Sequence, residues 1–89
     1  MPKSVFTPEY DAFLRLLRQA RRESGVSQVE MARLLGTSQS VVSKSERGER
    51  RLDVIELRSW CAALGVPLTR FVADLDRALR APGRRASGR

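Results

Sequence analysis

Gln39, Ser40, Ser43 and Lys44 fall within a stretch of six residues, and every one of them can donate a hydrogen bond. A glutamine amide carries a donor and an acceptor side by side. That combination matches adenine N6 and N7, and such a pair discriminates between bases by roughly 1–3 kcal/mol. Ser40 can serve several bases and specifies weakly. Lys44 can reach guanine O6 or N7, or a phosphate. Ser38 adds a hydroxyl at the start of the segment. For each of these side chains the plain alternative is a polar face in water. Arg47, Arg50 and Arg51 follow and suit phosphate contacts, which position a protein without reading sequence. Glu46 and Glu49 lie among them and would repel a phosphate backbone, so Glu49 is expected to turn away from it.

The charge of the whole chain points in the same direction. Seventeen Lys and Arg, fifteen of them Arg, face ten Asp and Glu, which gives +7 over 89 residues. Such a balance attracts polyanions. A solubilising surface, an arginine-rich composition and an acidic membrane surface are the other readings of that charge. Histidine is missing and Cys61 is the single cysteine, so neither a zinc cluster nor an intrachain disulfide can form within the chain. A Gly-rich phosphate loop is missing as well, and no pair of carboxylates has helix spacing in an evident cleft. No catalysis, cofactor or metal is expected. Non-specific RNA binding would want a row of exposed aromatics, which the sequence does not supply. The apolar runs are short and MPKSVF lacks the apolar block of a signal peptide. A cytoplasmic protein with no membrane partner is expected, sitting on the nucleoid whenever it is bound to DNA.

Groups that read bases need rigid elements behind them, and five helical patterns are available. The first runs from about Thr7 to Ser24, with Thr7 as N-cap, Pro8 at N1, and an apolar face of Tyr10, Phe13 or Leu14, Leu17 and Ala20. The second starts at Ser27, which forms a capping-box pattern with Glu30, and ends at Gly36. The third, capped by Ser38, runs from Gln39 to about Arg47 and closes at Gly48. Asp53 caps the fourth, with Val54, Leu57, Cys61 and Leu64 as its stripe. The fifth follows Pro67 and carries Leu68, Phe71, Val72, Leu75 and Leu79, ending at Pro82 and Gly83. Trp60 reads as core packing, with a partner anchor as the alternative, and Cys61 as an inert buried thiol rather than a redox sensor. The result is an all-α, compact five-helix domain over residues 7–80, with a disordered basic tail over 81–89.

The second and third patterns are each about two turns long and are joined by a short glycine turn, which is the outline of a helix-turn-helix. Ala32 is small enough for two helices to cross closely, Gly36 can supply positive φ at the turn, and Val42 points back to lock the pair. The alternative is an ordinary helical hairpin. The stretch SQVEMARLLGTSQSVVSKSERGERR, Ser27 to Arg51, resembles the signature of the phage-repressor and Cro type (Xre-like) of bacterial transcriptional regulators. The likeness covers about residues 12 to 75, including the later ALGVPLTRF.

The resemblance implies a phage-repressor-like fold and a DNA-binding regulator with its third helix in the major groove of double-stranded DNA. It implies that Gln28 binds a backbone phosphate and touches Gln39, and that Glu46 pairs with Arg21 on the first helix. Ser45 departs from the pattern, which places a large apolar side chain there. The lost burial is of the order of 1.5–3 kcal/mol. The Ser45 hydroxyl can bond back one turn, or Trp60 or Leu52 can fill the space. A repressor acting as a homodimer on a palindromic operator is expected, with Phe71, Val72, Leu75 and Leu79 as its dimer surface. An antitoxin that binds a toxin partner and represses its own operon is the alternative, although the tail lacks apolar anchors for wrapping a toxin.

Overall fold

The computed structural model describes residues 7–80, which form five α-helices and, within that span, no strand. They are α1 (Pro8–Glu23), α2 (Gln28–Leu35), α3 (Gln39–Glu46), α4 (Val54–Leu64) and α5 (Leu68–Leu79). The expected tail, and the expected helix stop at Pro82 and Gly83, lie outside the described residues. None of these helices is long and apolar enough to cross a membrane.

Local chemistry starts each element, and stops the first four, close to the expected place. Thr7 Oγ1 accepts from the Tyr10 amide at 3.0 Å, and Pro8 occupies the first turn of α1, where its missing N–H costs nothing. Ser27 with Glu30, and Asp53 with Glu56, form reciprocal capping boxes at α2 and α4. Pro67 leads into α5 with no side-chain cap. Between α2 and α3 the chain reverses at Gly36, whose φ of +70° lies in the left-handed region. There the Gly36 amide donates to the Arg33 carbonyl at 3.2 Å and the Thr37 amide to the Ala32 carbonyl at 2.9 Å, closing a Schellman turn. A methyl group at Gly36 would meet nothing within 4 Å, so the demand for glycine is conformational and not steric.

The helices wrap a core of Phe13, Leu14, Leu17, Met31, Ala32, Val42, Leu57, Trp60, Cys61 and Phe71. Phe13 and Phe71 meet edge to face with centroids 5.9 Å apart, which ties α1 to α5. Ala32 and Val42 are both buried where α2 and α3 pack together. Trp60 is core, only 4% exposed. Burial also raises the Cys61 thiol pKa, as expected of an inert buried thiol.

Two apolar expectations need correction. Val54 is 61% exposed and contributes nothing to the core. It is the first residue of α4, and the stripe that reaches the interior begins one turn later at Leu57. Phe71, expected on the dimer surface, is buried at 4% exposure against Phe13. Ser45 is fully buried, and its hydroxyl donates to the Val41 carbonyl at 2.8 Å. The serine thus gives up apolar burial but leaves no polar group unsatisfied.

Candidate nucleic-acid interface

The interface is built outward from a buried charge. The apolar stripe of α1, Leu14 and Leu17, continues at helical spacing to Arg21, which is 7% exposed. Glu46, the last residue of α3, is 1% exposed. Arg21 Nε donates to Glu46 Oε2 at 2.5 Å and Arg21 Nη2 to Glu46 Oε1 at 3.0 Å, a bidentate pair between the two helices. The third guanidinium nitrogen, Nη1, donates to the Val26 carbonyl at 2.9 Å, so the same side chain also holds the turn ahead of α2.

From this pair a line of side chains runs to the surface. Gln28 Nε2, at the start of α2, donates to Glu46 Oε1 at 3.0 Å. Gln39 Nε2, at the start of α3, donates to Gln28 Oε1 at 2.8 Å. Gln28 is half-buried and Gln39 exposed, so the line leads from the interior to the open face. Four of the residues singled out from the sequence, Arg21, Glu46, Gln28 and Gln39, are therefore joined in one network.

The other sequence-derived residues surround it. Ser38 Oγ accepts from the Val41 amide at 3.2 Å, so its oxygen is occupied in capping α3. Ser40 and Lys44 are exposed on α3, and Ser43 is half-buried. Arg47 Nη1 donates to the Ser43 hydroxyl, while Arg47 Nε and Nη2 donate to the two oxygens of Glu49 at 3.0 and 3.2 Å. The hydrogen bond to Glu49 raises the Arg47 pKa, and the same bond lowers that of Glu49. Arg50 Nη2 donates to Glu56 Oε2 at 2.6 Å. The Arg51 guanidinium lies 4.1 Å from the centroid of the Tyr10 ring, a cation–π contact with α1. In this structure all three arginines expected to meet phosphates therefore have partners within the protein.

Several participants were not anticipated. Arg18 Nη1 donates to the Glu46 carbonyl at 3.0 Å, placing a cation on the C-terminal end of α3 where the helix dipole favours it. Its spacing of three from Arg21 puts the two on neighbouring positions of α1, and that spacing was the available signal. Glu56 as partner of Arg50, and Tyr10 as partner of Arg51, carry no comparable mark because they lie 6 and 41 positions away.

Two short helices joined by a glycine turn, the second offering a polar N-terminal face, define a helix-turn-helix protein. A helix-turn-helix family model matches residues 17–71, and the chain belongs to that family, in its Xre-like branch of regulators. It is similar to an Xre-family-like protein of Pseudomonas syringae pv. tomato: 42% identity, TM-score 0.76, covering 83% of this chain and 89% of that one. An uncharacterised transcriptional regulator in the ATPase CF(0) region of Rhodospirillum rubrum is 36% identical over 61 residues, which is 68% of this chain and 56% of that protein. An uncharacterised HTH-type transcriptional regulator of Sinorhizobium fredii is 41% identical over 56 residues, 63% of this chain and 73% of that protein. The matched region thus spans little more than half of the first of these regulators and about three quarters of the second.

Proposed function

We propose that the protein is a sequence-specific DNA-binding repressor that acts in the cytoplasm as a homodimer on a palindromic operator. The observation that carries this reading is the Gln28–Gln39 bond at the adjoining N-termini of α2 and α3, on an open face that also holds Ser40 and Lys44. With α3 in the major groove, Gln39 reads adenine, Ser40 and Lys44 meet neighbouring bases, and Gln28 and Ser43 lie toward the backbone. Ser38 contributes its hydroxyl hydrogen, since its oxygen is already used in capping. Arg47, Arg50 and Arg51 supply phosphate contacts by exchanging their internal partners for phosphates. The homology to named regulators supports the regulatory role. The reading contains no catalytic step, metal or cofactor.

The proposed contact between two copies is the outer face of α5. It comprises Val72, which is 44% exposed, together with the accessible edges of Leu75 and Leu79, and excludes Phe71.

Selection of the full chain on a pool of random duplexes tests the proposal. The expected product is one site with two half-sites about one helical turn apart. Gln39→Ala should lose discrimination worth roughly 1–3 kcal/mol at one base pair in each half-site while keeping its helical circular dichroism. A wild-type protein that enriches no sequence, or a Gln39→Ala protein with unaltered preference, would overturn it.

A further inference from the structure

The Glu46 carboxylate is shared in a way that the ion pair alone does not require. Oε2 accepts from Arg21 Nε, while Oε1 accepts both from Arg21 Nη2 and from Gln28 Nε2. We infer that Glu46 is a positioning residue for base recognition, setting through Gln28 which edge of the Gln39 amide faces the DNA. The inference rests on the reading of α3 as the helix that meets base edges.

The polarity of the line follows from the chemistry of its inner end. A carboxylate held by an arginine is ionised and can only accept hydrogen bonds. The end of the Gln28 amide that faces it must therefore be the NH2 group, which turns the Gln28 carbonyl outward. A carbonyl likewise only accepts, so Gln39 must offer its own NH2 to Gln28, as it does at 2.8 Å. One of the two Gln39 Nε2 hydrogens is thereby spent inside the protein. What remains on the open face is one N–H and the whole of Oε1. That is the donor and acceptor pair complementary to adenine N7 and N6, and it does not match the two acceptors, N7 and O6, of guanine. Reversing the Gln39 amide would set two carbonyl oxygens against each other, which the fixed Gln28 prevents.

Each link has its own support in the fold. Glu46 cannot swing away, because it is 1% exposed and its main-chain carbonyl is held by Arg18. Gln28 stands in the first turn of α2, whose N-terminus is fixed by the Ser27–Glu30 capping box. Gln39 follows Ser38, whose side chain caps α3. A bond that joins the N-termini of α2 and α3 also keeps the Gln39 side chain in one conformation before DNA arrives, so less freedom is lost on binding.

Two measurements test the inference, one of them without DNA. In the free protein the side-chain amide of Gln39 should show one hydrogen shifted and slowed in exchange by its bond to Gln28 in 15N-resolved NMR spectra. Gln28→Met, which leaves the Arg21–Glu46 pair intact, and Glu46→Gln, whose own amide can face Gln28 either way round, should both remove that signature. On duplexes that differ only in the base pair read by Gln39, wild type should prefer adenine over guanine. Both variants should lose about tenfold of that preference. A purely structural role, or loss of a Gln28 phosphate contact, would weaken binding to both duplexes by the same factor. Equal weakening, or an unchanged Gln39 amide signal in Gln28→Met, overturns the inference. If Glu46→Gln does not fold, Glu46→Asp, which keeps the charge but is one methylene too short to hold both Arg21 and Gln28, takes its place with the same expected result. A wild type with the protected amide but no base preference overturns the DNA reading, and the recognition role of Glu46 falls with it.

Discussion

Glu46 concentrates more of this molecule's polar bonding than any neighbour in the helix-turn-helix. Its carboxylate accepts from Arg21 and Gln28, and its main-chain carbonyl accepts from Arg18. At 1% exposure an unpaired carboxylate would be stranded away from water. Arg21→Ala is therefore expected to cost about 3–5 kcal/mol in urea unfolding. An Arg21→Met/Glu46→Met double variant, which removes both charges, should be markedly more stable than Arg21→Ala. A double variant no better than the single one would show that Arg21 acts through its bond to the Val26 carbonyl and not through the pair. From the sequence this pair was visible only through family resemblance. The two residues lie 25 positions apart, and a buried arginine at the end of an apolar stripe looks like any of the fifteen arginines in the chain. Ser45 was different, since a hydroxyl in a helix interior has a nearby carbonyl to bond to, and Val41 supplies it.

At the scale of elements, α4 shows how a helix start can carry two roles. Glu56 closes the capping box with the Asp53 amide at 3.0 Å and also accepts from Arg50 at 2.6 Å. The Asp53 amide, with Arg50 second, lowers the Glu56 pKa below its ordinary value of 4.5. A depressed carboxylate contributes stability that is complete above the unfolded value and disappears as pH falls through the folded one. Glu56→Gln keeps an acceptor for the cap but not the charge. Wild type should exceed it by about 0.5–1 kcal/mol at pH 7. That margin should close as the pH drops below about 4.5, read from urea midpoints across the acid range. A margin independent of pH would assign the effect to packing. The helices themselves were legible because Thr7, Ser27, Ser38 and Asp53 each mark a start and Gly36 a stop. Val54 was misplaced because its spacing to Leu57 fits an apolar stripe. Periodicity does not reveal that the first residue of a helix lies beyond the edge of the core.

At the scale of the molecule, a net charge of +7 overstates the cationic surface that the interface offers. Arg47 is held by Glu49, Arg50 by Glu56, and Arg51 lies over Tyr10. Composition shows the excess of arginine but not these pairings, just as the spacing of α5 could not tell that Phe71 completes the protein's own core instead of facing a second copy. A phosphate contact by Arg47, as proposed above, would therefore have to displace the Glu49 carboxylate. The same hydrogen bond to Arg47 lowers the Glu49 pKa, so the pairing favours the charged carboxylate. Glu49→Gln removes the competitor without touching the arginine. It should tighten binding to duplexes of any sequence, with little change in the dependence of log K on log salt, because the same phosphates are neutralised. Arg47→Ala should weaken binding uniformly and flatten that slope by about one unit. Because the proposed reading assigns no base to either residue, the base preference at the position assigned to Gln39 should stay unchanged in both. Titrations of operator and unrelated duplex over a range of salt concentrations measure both quantities together. If Glu49→Gln binds no tighter than wild type at any salt concentration, Arg47 does not meet the phosphate backbone.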